Sequence, residues 1–379
     1  MSERGRRRSG IIVFIAIVQG LLFLAHALVF ETVNYFWGKP RIPDLLEFFI
    51  VVSISFVSAS MLVWRHTNFF AWGFYRLAAI WLGCLSFFFW ASVLCWVAYG
   101  LVQLLGLLAT PLHVRDYGRG LLIGLFGAGG IAAIVAFING GWIRVTEISV
   151  KLPELPDAWK SRTALLASDL HLGPVRGFCF ARRVVKAAKR LKPDIVFLTG
   201  DFYDGTAVDA ARMANAWKDF PAKSGIYYVT GNHEEFSDRT KYVSAIEGAG
   251  IRVLKNERVL LDGLQIAGVL YGEGSERESL RETLAHIELD RNKPSILLSH
   301  EPKHLDVAEE AGVSLQLSGH THKGQVFPWS WVARRVHGKY VYGLNDFKRM
   351  LVYTTSGAGT WGPPMRLGTR SEIVLIRFE

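Results

Sequence analysis

Asp169 and His171 stand two residues apart where the apolar run Thr163 to Ala167 stops. If the strand continued through them, their side chains would point the same way, and a carboxylate and an imidazole could grip one cation. The pattern recurs down the chain. Apolar runs of strand character end in Thr199-Gly200-Asp201-Phe202-Tyr203-Asp204, in Thr230-Gly231-Asn232-His233-Glu234, in Ser299-His300 and in Ser318-Gly319-His320-Thr321-His322. One Asp-x-His pair is ordinary loop polarity. Five consecutive strand ends carrying Asp, Asn or His are more than that, because open α/β sheets gather ligands beyond their C-terminal strand ends.

Neutral imidazoles mixed with carboxylates suit Mn, Fe or Zn better than the all-oxygen shells of Mg or Ca. The cysteines Cys84, Cys95 and Cys179 form no close pair, which argues against structural zinc and against a disulfide framework. The donors suffice for two ions. An aspartate bridging both would hold them roughly 3.5–4 Å apart, the spacing of two-metal phosphate chemistry. Such a pair shares and deprotonates a water, neutralises phosphoryl oxygens and orients an in-line attack.

The elements that must position these residues follow from periodicity. Short strands are expected at Ala164–Ala167, Ile195–Leu198, Ile226–Val229, Ile296–Leu298 and Leu315–Leu317. Helices are expected at Phe178–Leu191, Ala207–Phe220, Lys241–Gly250, Glu276–Leu289 and His304–Ala311. Arg144 to Val150 also alternates like a strand. The whole reads as one α/β domain over 144–379, large enough for its own core.

The preceding part is of another kind. The chain has 379 residues, half of them hydrophobic, twelve of them Trp, and a mean hydropathy of +0.23, too apolar for one soluble domain. Apolar segments near 10–30, 45–64, 77–108 and 120–142 predict four transmembrane helices within 1–143. The third is read as one long helix, since no charge or proline interrupts it, and Gly124, Gly127, Gly129 and Gly130 in the fourth suit close helix packing. Arg4, Arg6, Arg7 and Arg8 should keep the N-terminus in the cytoplasm, so four crossings place the second domain there too. Arg65 and Arg76 agree with that orientation, whereas Lys39, Arg41, Arg115 and Arg119 fall in loops that should be outside. No charged residue lies deep in these segments, so a transporter or proton pathway is poorly supported. His26 is expected at the membrane interface. The net charge of +10 is what positive cytoplasmic flanks produce, and no nucleic-acid partner is expected.

The ordered set Asp-x-His, Gly-Asp-x-x-Asp, Gly-Asn-His-Glu, His and Gly-His-x-His resembles the calcineurin-like metallophosphoesterases. The tail Ser356-Gly-Ala-Gly-Thr-Trp-Gly-Pro-Pro-Met-Arg-Leu-Gly resembles a membrane-associated bacterial branch related to lipid-A-pathway pyrophosphatases. The resemblance implies two β-sheets sandwiched by helices. It implies that Asp169, His171 and His322 hold one metal, that Asp201 bridges, and that Asn232, His300 and His320 hold the other. His233 would stand beside the scissile phosphate as a proton donor, with the Asp204 carboxylate orienting it. Two divalent ions are thus expected, Mn foremost among Mn, Fe and Zn. The expected activity is hydrolysis of a phosphoester or pyrophosphate bond in a lipid or nucleotide-linked lipid, of the UDP-2,3-diacylglucosamine kind, at a bacterial cytoplasmic membrane.

One departure from the branch pattern is Lys323, where a glycine usually follows Gly-His-Thr-His. Lys323 and Arg366 are candidate phosphate contacts. Trp329, Trp331, Arg334, Arg335, Tyr340, Tyr342, Lys348 and Arg349 form an aromatic and basic stretch suited to an amphipathic substrate or to anionic headgroups. The alternative to an enzyme is a non-catalytic metal-binding module on a membrane scaffold. It would be marked by decay of the ligand set, and the set is intact.

Overall fold

The computed structural model describes residues 3–37, 43–106 and 111–379. Lys39, Arg41 and the end of the third apolar segment at 107–108 lie outside the described residues. The chain divides into two compact units, Met1–Phe137 and Ile138–Glu379.

Four helices, α1 (Glu3–Trp37), α2 (Pro43–Val63), α3 (Phe69–Leu104) and α4 (Pro111–Gly141), are each long and apolar enough to cross a membrane. The third is a single helix of 36 residues, about 54 Å at 1.5 Å per residue, and so longer than a hydrocarbon core of roughly 30 Å. Asn68 caps its start, accepting the Ala71 N–H at 2.9 Å. His26 is buried, with the Trp81 Nε1–H donated to its Nε2 at 2.8 Å and its Nδ1 2.7 Å from the Leu22 carbonyl. An apolar surrounding penalises any polar group left without a partner, and this imidazole finds both of its own inside the bundle.

The second unit contains two six-stranded sheets. Its strands are β1 (Ile143–Val150), β2 (Thr163–Ala167), β3 (Ile195–Thr199), β4 (Ile226–Val229), β5 (Arg252–Val253), β6 (Glu257–Leu261), β7 (Leu264–Gly268), β8 (Ser295–Leu298), β9 (Leu315–Ser318), β10 (Gly343–Phe347), β11 (Met350–Thr354) and β12 (Ser371–Phe378). One sheet has the order β1-β12-β2-β3-β4-β5 and the other β10-β11-β9-β8-β7-β6. Within them β2, β3, β4 and β5 run parallel, as do β7, β8, β9 and β11. The C-terminal strand β12 enters between β1 and β2, parallel to the former and antiparallel to the latter.

Leu166, Phe197 and Val229 of the first sheet share one core with Ile266, Leu298 and Leu317 of the second. Strands buried on both faces read as continuous apolar runs, which is why they are conspicuous in the sequence. The helices of this unit are α5 (Phe178–Leu191), α6 (Ala210–Ala214), α7 (Asn232–Glu235), α8 (Arg239–Gly248), α9 (Tyr271–Ser275), α10 (Arg277–Ile287), α11 (Leu305–Glu310) and α12 (Trp329–His337). Leu280 and Leu284 of α10 and Leu305 of α11 pack with Leu297 and Val352 in a second core outside the second sheet. The helix expected over 207–220 is only Ala210–Ala214. Asp209 caps it, accepting the Arg212 N–H at 3.0 Å. Beyond Asn215 the chain turns so that Trp217, fully buried, meets Phe220 with ring centroids 5.4 Å apart. Burial of that indole overrides helical continuation.

Candidate metal centre

The ligand-bearing strands stop short of their ligands. β2 ends at Ala167, and Asp169 and His171 both occupy the left-handed region, with φ of 52° and 47°. They converge through a turn, not through the extended i, i+2 geometry the sequence suggests. Asp201, His320 and His322 share that backbone state, with φ of 48°, 69° and 47°. It is sparsely populated by non-glycine residues and, where it clusters, marks functional sites.

These turns gather the donor atoms. Nε2 of His171 and Nε2 of His322 lie 2.9 Å apart, and Asp169 Oδ1 is 3.6 Å from the latter. On the other side Asn232 Oδ1 lies 3.2 Å from His300 Nε2 and 2.9 Å from His320 Nδ1. Between the two sets stands Asp201, whose Oδ2 is 3.7 Å from His171 Nε2 and 3.2 Å from His300 Nε2. All seven expected ligands are therefore brought together, with one carboxylate oxygen facing both groups. Asp169, His171, Asp201 and His300 are almost wholly buried. So many imidazole nitrogens and carboxyl oxygens converging in a buried space form a donor set that fits divalent cations.

The outer contacts orient the rings. His300 Nδ1 donates to the Thr199 carbonyl at 2.7 Å, which leaves Nε2 as the nitrogen that would face a metal. Charge is balanced within the cluster. Burial pushes Asp201 upward, but His300, His233 and His171 outweigh it and hold its carboxyl well below the usual range. Burial lowers His300, yet Asp201 overrides that and raises it to about 10. His320 is pushed down to about 3 by burial and by His300.

His233 is partly exposed beside this cluster, its ring centroid 4.7 Å from that of His171. Its Nδ1 lies 3.0 Å from the backbone carbonyl of Asp204, which leaves Nε2 as the nitrogen that can face a substrate. The expected Asp204 carboxylate contact is not made. That carboxylate instead turns to His171 Nδ1 at 3.4 Å, and neither of those two buried atoms has another partner. Burial opposes protonation of His233, but the Asp201 and Asp204 charges prevail and raise its pKa.

Arg366 does not have the surroundings of a phosphate contact. It is fully buried, and its guanidinium donates to the carbonyls of Ser356, Gly357, Gly359 and His322. A cation enclosed by carbonyls has no face open to a substrate anion, so its place is structural. Lys323 follows His322 directly, but its ammonium lies over the Tyr342 ring, 4.3 Å from the centroid.

Glu234 holds the ligand-bearing turns together. Its buried carboxylate accepts the N–H groups of Asp201, Tyr203 and Gly231 at 3.0, 2.9 and 2.8 Å, tying the Asp201 turn to the turn that carries Asn232. The signal is present in Gly231-x-x-Glu234, where a glutamate at the third helical position reaches back to the N-cap amide. Burial and the Asp201 charge raise Glu234 to about 7.

Comparison with known proteins agrees with this geometry. The family model described as calcineurin-like phosphoesterase matches residues 163–324. An uncharacterised metallophosphoesterase of Campylobacter jejuni is 27% identical over 372 residues, 93% of this chain and 96% of the relative. One of Aquifex aeolicus is 32% identical over 246 residues, 63% of this chain and 92% of the relative. A zebrafish (Danio rerio) protein named a transmembrane protein with metallophosphoesterase domain is 28% identical, the match covering 65% of this chain and 60% of that one. The four apolar helices and this last relative indicate association with a membrane.

Proposed function

Because the chain belongs to the calcineurin-like metallophosphoesterase family, we propose that it is a membrane-anchored hydrolase of phosphoester or pyrophosphate bonds. The observation that carries this reading is Asp201 Oδ2 between His171 and His300, with a partly exposed imidazole, His233, beside them. Asp169, His171 and His322 would hold one divalent ion and Asn232, His300 and His320 the other, Asp201 serving both, with Mn the favoured metal. When bound, the ions would supply Lewis acidity toward a phosphoryl oxygen and a water.

The chain's own residues do the rest. His233, held at Nδ1 by the Asp204 carbonyl, donates a proton from Nε2 to the departing oxygen. Arg366 and Glu234 fix the turns that carry the ligands. Lys323, next to His322 in the chain, would leave the Tyr342 ring to meet the non-reacting part of a substrate. The membrane-spanning part is assigned to residues 1–143 and the catalytic domain to 144–379, on the cytoplasmic face of a bacterial inner membrane. The substrate is a phosphorylated, lipid-linked molecule presented by the bilayer, of the nucleotide-diacylglucosamine class.

The test is hydrolysis of bis(4-nitrophenyl) phosphate by the detergent-solubilised chain loaded with Mn. Wild type is expected to turn over, and Asp201→Asn to lose more than the roughly 100-fold typical of outer-shell changes. Inactivity with Mn, Fe and Zn toward monoesters, diesters and pyrophosphates alike would favour the non-catalytic module. Reporter fusions at the C-terminus test the side of the membrane.

A further inference from the structure

Helix α12 (Trp329–His337) is turned inside out. At 100° per residue, Ser330, Ala333 and His337 fall on one face, and these are the helix residues that are half-buried against the domain. The large apolar residues point the other way. Trp331 is 67%, Val332 55% and Val336 71% exposed. The seating is tight at the start, where a Cβ on Gly324 would lie 2.5 Å from the Ser330 Cα, so the helix cannot simply roll its apolar face inward.

The patch continues past the helix. Phe327, 44% exposed, packs its ring 4.9 Å from that of Trp331. Trp361, 57% exposed, lies across the Gln325 amide, which accepts its backbone N–H at 2.9 Å and donates to its carbonyl at 3.0 Å. Exposed apolar groups gathered in this way mark an interaction surface. This one borders the centre directly. The Trp361 ring is 6.1 Å from His233, and His337 is 6.1 Å from the metal-ligand candidate His320. From Lys323 to Tyr340 the sequence has four basic residues, Lys323, Arg334, Arg335 and Lys339, and no Asp or Glu.

We infer that the outward face of α12, with Phe327 and Trp361, seats in the headgroup layer of an anionic bilayer and brings the metal centre to the lipid surface. This rests on the reading of the chain as membrane-anchored. The occupant follows from three observations. Trp and aliphatic side chains interleaved with arginines are the composition of interfacial helices, the aromatics entering the acyl boundary while the guanidiniums stay among phosphates. The absence of acidic groups suits an anionic surface, each cation near it adding to the attraction. A chain with four candidate membrane helices also has a bilayer at high effective concentration at all times, which a separate protein partner does not share.

The test uses the full chain reconstituted in vesicles of phosphatidylcholine and phosphatidylglycerol in equal parts. Cys84, Cys95 and Cys179 are replaced by Ser, and a nitroxide is attached after Val332→Cys, Val336→Cys or, as an aqueous control on exposed α10, Glu282→Cys. Matching circular dichroism and thermal unfolding verify the fold of each. Labels at 332 and 336 are expected to collide with oxygen several-fold more, relative to a nickel chelate, than the label at 282. Equal nickel accessibility at all three positions would overturn the proposal. So would shielding from both reagents with dipolar broadening, which would mean that a second copy covers the face. The readout needs no turnover, so its failure leaves the hydrolase reading standing, and an inactive enzyme leaves this inference standing.

Discussion

Nη2 of Arg366 lies 3.1 Å from Nδ1 of His322, and the same nitrogen donates to the Ser356 carbonyl. The guanidinium is thus a fully buried clamp between the C-terminal loop and a metal-ligand candidate. Removing it strands several carbonyls and frees the His322 ring. Arg366→Ala is expected to cost about 3 kcal/mol of stability and to weaken metal binding about 10–100-fold. Arg366→Lys should recover little, because an ammonium lacks the planar fork. Thermal unfolding with and without Mn, together with a metal titration, checks both.

Glu234 makes its three backbone contacts with two oxygens, Oε2 serving Asp201 and Gly231 and Oε1 serving Tyr203. In Glu234→Gln one of these positions becomes an NH2 that opposes an N–H. The substitution is expected to cost about 1–3 kcal/mol, and Glu234→Ala more, with metal affinity falling in the same order. Equal stability of wild type and Glu234→Ala would contradict the role.

Gly231 and Gly319 press against the carboxylates. A Cβ on Gly231 would stand 2.2 Å from Asp201 Oδ1, and one on Gly319 would stand 2.2 Å from Asp169 Oδ2. Gly231→Ala and Gly319→Ala remove no ligand, yet each is expected to weaken metal binding at least about 10-fold by displacing one. Retention of wild-type metal stoichiometry by both would show that the turns can yield.

The pH response of the chelated protein carries a definite sign. His300 has its pKa raised from 6.5 to about 10 when folded, burial being outweighed by Asp201. A base raised by folding contributes stability that is complete below the unfolded value and lost as pH climbs through the folded one. The chelated chain should therefore lose melting temperature from pH 6.5 to pH 10. His300→Gln should flatten that limb, and so should Mn if Nε2 is its ligand. A level profile for the chelated wild type would contradict the Asp201–His300 pairing.

If His233 protonates the leaving oxygen, its removal should matter most where that oxygen is most basic. His233→Asn is expected to lose about 10²–10⁴-fold toward an alkyl phosphodiester. Toward a nitrophenyl ester, whose leaving group needs little protonation, it should lose much less. Equal losses for the two would assign His233 to binding instead.

The sequence by itself determined the class of fold and named the residues that the structure gathers into one candidate metal centre. Each ligand stands within a few residues of a strand that is buried on both faces and so reads as an apolar run, and the order of strand ends survives any detail of packing. The apolar helices are legible for the same reason, since length and composition are local. What a side chain touches across the fold is not local, and tertiary structure alone decided it. Arg366 looked free to meet phosphate until burial among carbonyls gave it His322, 44 residues away. Asp204 faces His171 with its carboxylate and His233 with its carbonyl, an assignment made by a turn and not by spacing. β12 lies between β1 and β2, where its Val374, Ile376 and Phe378 join Val150 and Leu166 in one core. The outward face of α12 is the plainest case: the sequence shows an aromatic and basic stretch, but only the fold makes it a helix, with Gly324 and Ser330 in close approach on the face that the domain keeps.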